Sequence, residues 1–154
     1  MYKQELPLMF PEDADVARVQ GAFFDPFEYL MLRQRANLID QNFPNSLGKV
    51  AYHVACHQRG QNFVMKTREF LELVPGTDIS AIERCSGHDG TYAVKAETYE
   101  KAKKIDRPVV RRVEETKPDS FGSDCPMAGR MIADGIENGE AEHPISMVRR
   151  AYGI

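Results

Sequence analysis

The sequence has no long hydrophobic run, no marked excess of charge of one sign and only three cysteines in 154 residues. Its longest apolar runs are a few residues, so no segment is expected to span a membrane as a helix. The formal net charge of −3 gives no support for nucleic-acid binding by bulk charge. The opening MYKQELPLMF lacks the charged-then-apolar order of a signal peptide. We therefore expect a cytoplasmic protein without a nucleic-acid partner.

The small, odd number of cysteines argues against a disulfide framework. In a chain without a secretory signal, Cys56, Cys85 and Cys125 are expected to stay reduced, as core residues, metal ligands or reactive thiols. The length and the ordinary composition, 42% hydrophobic and 28% charged, predict one globular domain with its own core.

Strand-like and helix-like segments alternate along the chain. Strands are predicted over 49–55, 78–84 and 120–124, where β-branched and aromatic residues concentrate. Helices are predicted over 13–24, from Pro26, over 62–74, over 91–104, from Pro108, over 126–137 and over 145–152. This order predicts an α/β fold with a small, mostly parallel sheet flanked by helices.

Each cysteine follows one of the predicted strands. Cys56 comes after the first strand, Cys85 after the second and Cys125 after the third. The carboxyl ends of parallel strands meet at one edge of a sheet, which is where ligands bind. Thiolate sulfur is a soft ligand for zinc, copper(I) and iron–sulfur clusters. The pattern predicts a metal or cluster site at this edge, and the alternative is that the cysteines are small core residues.

Two features beside the cysteines favour such a site. Cys125 precedes Pro126 at a predicted helix start, where unpaired backbone N–H groups favour a thiolate. Gly87 follows Cys85 closely and would let backbone N–H groups approach a cofactor.

The four histidines divide into two pairs. His57 and His88 lie next to cysteines at the predicted edge, so they are candidate ligands or hydrogen-bond donors to a cofactor. His53 lies inside a strand and is expected to be a core residue with its hydrogen bonds satisfied, while His143 is expected at a helix start. The candidate oxygen ligands are Asp89 and Asp124, and Asp124 is equally placed to cap the following helix.

A nucleophilic Cys–His pair is the alternative for Cys56 and His57. Sequence neighbours in a strand point to opposite faces, which is poor geometry for a catalytic dyad. The spacing therefore disfavours a hydrolase.

Four segments carry a resemblance to a known family: YHVACHQRGQN, IERCSGHDGTYAVK, SDCPMAGRMI and EHPISM. In this order they resemble the cysteine-rich CCG domain that occurs in heterodisulfide reductase (its B subunit) and in anaerobic glycerol-3-phosphate dehydrogenase (its C subunit). The family pattern is a Cys after a strand, then Cys-Cys-Gly, then Cys-x-x-Cys. The resemblance implies Cys56, Cys85 and Cys125 as ligands, whereas Ser86 and Ala128 stand where the family has its other two cysteines.

What the resemblance implies for the cofactor is an iron–sulfur cluster. Five-thiolate non-cubane chemistry is not expected from three cysteines, which leaves a [4Fe–4S] cubane with a fourth, non-cysteine ligand. His88, His57, Asp89 or an exogenous group are the candidates for that position. Zinc is the alternative, and a copy that has kept only the fold is a further one.

The resemblance also implies a role in electron transfer. The chain would be a non-catalytic subunit or fragment that passes electrons between a flavoprotein dehydrogenase, or another redox subunit, and a quinone or thiol/disulfide partner. Any membrane association would be through a partner. The alternatives are a cluster-free or zinc-bearing module that docks a redox subunit, and a thiol–disulfide reductase.

Members of this family usually carry two such domains in tandem. The opening MYKQELPLMFPEDADV resembles the linker that follows the first copy. We therefore expect a helical lead-in over residues 1–48 and a second-copy CCG-like domain over 49–154, with a missing N-terminal half as a candidate partner.

Overall fold

The fold is taken from a computed structural model that describes residues 1–60 and 65–154. The strands are β1 (Gly48–His53), β2 (Thr77–Ile82) and β3 (Ser120–Ser123). The helices are α1 (Glu5–Met9), α2 (Ala14–Ala22), α3 (Pro26–Arg35), α4 (Cys56–Gly60), α5 (Lys66–Leu71), α6 (Ala96–Thr116), α7 (Pro126–Asp134) and α8 (Pro144–Ala151).

The three strands form one parallel sheet in the order β2-β1-β3. The last residue of the central strand, His53, lies opposite Ile82 on β2 and Ser123 on β3. All three predicted strands are confirmed to within a few residues, as is the parallel α/β class.

Helices cover both faces of the sheet, because side chains alternate along β1. Val50 and Tyr52 enter one core with residues of α3, α5 and α8, including Phe27, Phe70 and Met147. On the opposite face Ala51 joins a second core with the following residues of β2, α6, β3 and α7: Ile82, Val109, Val110, Val113, Phe121 and Ile132.

Helices α2 and α3 begin where the sequence predicts, whereas α1 was not predicted. Asp13 caps α2, accepting from the N–H groups of Asp15 and Val16. Asp25 caps α3 in a capping box with Glu28. No residue of α1 or α2 is buried, whereas α3 contributes two residues, Phe27 and Met31, to the same core as β1. The predicted division of the chain at residue 48 stays a prediction.

The predicted break at Pro108 is wrong. A single helix, α6, runs through this proline, instead of one helix over 91–104 and another from Pro108. An internal proline costs about 3 kcal/mol because it removes a backbone hydrogen bond and crowds the preceding turn. Here the apolar side of α6 is continuous across the break, and it buries Ala102, Val109, Val110 and Val113. That packing offsets the local cost.

Other boundaries differ in detail. The predicted helix over 62–74 corresponds to α5, and its first residues lie outside the described part of the chain. Helix α7 ends at Asp134, earlier than predicted, with Gly135 as its C-cap. The short helix α4 was not predicted at all. No helix in residues 1–60 or 65–154 is both long and apolar enough to cross a bilayer.

Candidate functional site

The topology places all three cysteines at the carboxyl edge of the sheet, as predicted. Cys56 opens α4 shortly after β1, and Cys85 lies in the turn after β2. Cys125 follows β3 as the N-cap of α7, with Pro126 in the first turn. Because the strands are parallel and adjacent, the three turns emerge side by side.

The cysteine side chains remain accessible at this edge. Cys56 and Cys85 are exposed and Cys125 is half-buried. The N–H of Gly87 donates to the Sγ of Cys85 at an N···S distance of 3.4 Å. Gly87 adopts a positive φ of 74°, which brings this amide back towards the thiol.

The donor types fit a soft metal or an iron–sulfur cluster, since three thiols meet at one edge. The described geometry does not assemble them into a closed site. In residues 1–60 and 65–154, no group of three or more His, Cys, Asp or Glu side chains is gathered closely enough to hold a metal ion. The assignment of Cys56, Cys85, Cys125 and His88 as ligands therefore stays a prediction that rests on donor chemistry and topology.

His57 and His88 line different cavities. His57 is exposed on α4 and borders a cavity of about 400 Å³ with Tyr2, Phe23 and Phe24. His88 is half-buried and borders a second cavity of about 400 Å³ against α7, beside Met127. The two predicted histidines are therefore not brought together in one cavity.

A buried polar cluster behind the edge was not predicted from the sequence. The Asp124 Oδ2 accepts hydrogen bonds from Gln58 Nε2 at 2.6 Å, from Thr67 Oγ1 at 2.9 Å and from the Tyr52 hydroxyl. Burial, and then the charge of Asp124, raise the pKa of Tyr52 well above its usual value, so the phenol stays protonated and donates. Asp124 does not cap α7, because Cys125 is the N-cap.

The sequence held one signal for this cluster. Tyr52 lies among apolar residues of a buried strand, and a buried tyrosine hydroxyl needs a hydrogen-bond partner. The partners come from α4, α5 and the turn after β3. A local sequence pattern cannot predict hydrogen-bond partners that are so far apart in the chain.

The other two histidines behave as predicted. His53 is 1% exposed, and its ring nitrogens lie 3.0 Å from Ser123 Oγ and 2.7 Å from the Arg84 carbonyl oxygen. His143 is the N-cap of α8 and accepts from the N–H of Ile145. Both are structural residues, although His53 joins two of the cysteine-bearing turns.

The chain is similar to part of the C subunit of anaerobic glycerol-3-phosphate dehydrogenase, both from Escherichia coli strain K12 and from Escherichia coli O157:H7. The identity to each is 32% over 104 residues, which is 67% of this chain and 26% of the relative. The chain thus spans about a quarter of the length of these relatives. No family model matches the chain, and no solved structure does. The homology supports the glycerol-3-phosphate dehydrogenase part of the sequence resemblance, and the CCG assignment and second-copy placement stay predictions.

Proposed function

We propose that this chain is part of an electron-transfer subunit of an oxidoreductase, and that Cys56, Cys85 and Cys125 hold an iron–sulfur cluster of the [4Fe–4S] type. The observation that carries the proposal is the arrival of three thiols at one sheet edge from three adjacent parallel strands. The homology to a dehydrogenase subunit supports it. A flavoprotein dehydrogenase or another redox subunit is the proposed partner, in the cytoplasm or at a membrane through that partner.

A bound cluster would supply one-electron redox chemistry. The chain's own part is to bind it through thiolates and to set its potential through hydrogen bonds to sulfur and through solvent exposure. The Gly87 amide, which donates to Cys85, is one such hydrogen bond. The exposed positions of Cys56 and Cys85 keep this edge within reach of a partner protein.

Three thiolates leave one iron of a cubane without a cysteine ligand. We propose His88 for that position because it follows Cys85 in the same turn and is half-buried. His57, Asp89 and an exogenous ligand are the alternatives. A single zinc ion held by the same donors is the alternative cofactor.

The first prediction concerns bound metal in the anaerobically purified or reconstituted chain. About four irons with acid-labile sulfide are expected, as for a cubane cluster. Changing Cys56, Cys85 or Cys125 singly to Ser is expected to remove most of the iron, because each substitution deletes a soft ligand. Ser86→Ala, which changes the neighbour of Cys85 without removing a thiol, is the matched control and is expected to keep the metal.

The outcomes separate the alternatives. Iron that survives all three single changes would contradict the ligand assignment. About one zinc and no colour would instead favour a zinc-bearing module that docks a redox subunit. No metal after reconstitution would leave a cluster-free docking module. Loss of a disulfide-reducing activity on alkylation of one highly reactive cysteine would point to a thiol–disulfide reductase.

The second prediction concerns the fourth ligand. His88→Ala is expected to keep about three of the four irons or to shift the midpoint potential and the visible spectrum of the cluster, because one iron loses its protein ligand. His57→Ala is the control, since His57 lines a separate cavity. An altered spectrum in His57→Ala and an unchanged one in His88→Ala would reverse the assignment.

A further inference from the structure

We propose that two consecutive residues of the central strand, Tyr52 and His53, are positioning residues that fix the spacing of the three cysteine-bearing turns. The proposal rests on the function proposed above only in treating the three thiols as one site. Tyr52 and His53 are each 1% exposed, and each makes side-chain hydrogen bonds to the turns at the carboxyl edge.

His53 connects the turns of Cys85 and Cys125. Its Nε2 lies 2.7 Å from the carbonyl oxygen of Arg84, and its Nδ1 lies 3.0 Å from Ser123 Oγ. Arg84 is the residue immediately before Cys85. The Ser123 hydroxyl oxygen in turn accepts the backbone N–H of Cys125, at 3.3 Å.

The chemistry of these groups fixes the direction of the first hydrogen bond and, for a neutral ring, that of the second. A carbonyl oxygen only accepts, so the Nε2 of His53 carries a proton and donates to Arg84. In the neutral ring Nδ1 is then an acceptor, and the Ser123 hydroxyl donates to it. The same hydroxyl keeps a lone pair for the N–H of Cys125. One imidazole therefore joins the backbones of two thiol-bearing turns with every donor matched to an acceptor.

Tyr52 connects the remaining turn from the opposite face of the sheet. Its hydroxyl donates to the carboxylate of Asp124, which directly precedes Cys125. The same carboxylate oxygen accepts from the side chain of Gln58 on α4, the helix that Cys56 opens. Tyr52 and Asp124 thus tie the Cys56 helix to the Cys125 turn.

The central position of β1 explains why two neighbouring residues can do this. With the order β2-β1-β3, β1 is the one of these three strands that has on each side a strand followed by a cysteine-bearing turn. Consecutive side chains of a strand point to opposite faces. Tyr52 therefore reaches the turns through the core shared with α3, α5 and α8, and His53 reaches them on the face of α6 and α7.

The test uses the full metal-free chain, so that it does not depend on a cluster. The variants are His53→Phe and Ser123→Ala, with Tyr52→Phe as the matched variant of the other connection. The readouts are hydrogen exchange at the Cys125 amide and the yields of thiol–thiol cross-links formed by a short bismaleimide, with each pair identified by mass spectrometry.

The two connections predict different patterns. His53→Phe and Ser123→Ala are expected to speed exchange of the Cys125 amide about fivefold, the equivalent of one lost hydrogen bond. His53→Phe is also expected to change the Cys85–Cys125 cross-link yield. Tyr52→Phe is expected to change the yields that involve Cys56 while the Cys85–Cys125 yield stays within about twofold, since the His53 connection is intact. His53→Gln, which keeps a donor and an acceptor, is expected to restore part of the Cys85–Cys125 yield.

Unchanged cross-link yields in folded His53→Phe and Tyr52→Phe would overturn the proposal. The same pattern of changed yields in the two variants would also overturn it, because the two connections join different pairs of turns. If His53→Phe does not fold, the deciding measurement is the hydrogen-exchange rate of the Cys125 amide in Ser123→Ala. An unchanged rate there would overturn the proposal. If the variants change the cross-link yields as expected but the wild-type chain binds no iron, the proposed cluster is contradicted and the positioning role of Tyr52 and His53 is still supported.

Discussion

Replacing Asp106 with Asn is expected to raise the free energy of unfolding at pH 8 by about 2 kcal/mol. Asp106 lies on α6 and is 2% exposed, and its Oδ1 has no hydrogen-bond partner within the described residues. Burial, and then the nearby charge of Asp134 on α7, raise the pKa of Asp106 to about 7. Its charge is therefore poorly stabilised in the folded chain.

The effect has a definite pH dependence. The folded pKa is raised above the ordinary value of 3.8, so the folded chain holds this proton over a pH range in which the unfolded chain has lost it. The wild-type chain is thus expected to lose stability as the pH rises from about 4 to about 7, and to level off above that range. The full shift corresponds to about 4 kcal/mol, and Asn recovers only part because its amide is also left without a partner.

Chemical denaturation at pH 4, 6 and 8 measures this difference. Asp106→Asn and the wild type are expected to agree near pH 4 and to diverge as the pH rises. Asp134→Asn removes the second carboxylate, which is expected to lower the pKa of Asp106. The pH range over which the chain loses stability is then expected to become narrower. Glu100→Gln, an exposed site on the same helix, is the control with no expected pH-dependent gain. A constant difference between Asp106→Asn and the wild type at all three pH values would contradict the assignment.

The edge that carries the three cysteines was predictable because its signals are local. Each strand is a short β-rich run, and the residue order alone puts a cysteine after each. Parallel pairing then follows from the intervening helices. The helix caps at Asp13, Asp25 and His143 were predictable for the same reason, since each cap is set by residues a few positions away.

What the sequence did not predict depends on contacts between distant residues. Pro108 is a helix breaker by local rules, and only the packing of α6 against the sheet and α7 overrides it. Asp106 lies on the buried side of that helix, among valines. Its raised pKa depends on burial and on Asp134 of α7, so it could not be predicted before the packing of α7 was known. The carboxylate of Asp124 receives its hydrogen bonds from residues that are close only in the folded chain.

Gly87→Ala is expected to lower the free energy of unfolding by about 2–4 kcal/mol and to displace the turn that carries Cys85. Gly87 has a positive φ of 74°, and a Cβ built on it would lie 2.3 Å from the carbonyl oxygen of Ala102. That oxygen belongs to the backbone of α6 at a fully buried position, so it has little freedom to move. The turn must shift instead, and the hydrogen bond from the Gly87 amide to the Cys85 thiol goes with it.

Gly90, in the same turn, provides a matched control. It also has a positive φ, of 52°, but a Cβ built there meets nothing within 4 Å. Gly90→Ala is expected to cost only the backbone strain, about 1 kcal/mol. Denaturation curves of the two variants therefore separate strain from steric contact, and alkylation of Cys85 in the metal-free chain reports the displacement of the turn. Equal losses of stability in the two variants, with Cys85 alkylated at the same rate, would mean that α6 gives way to the new methyl group and does not fix this turn.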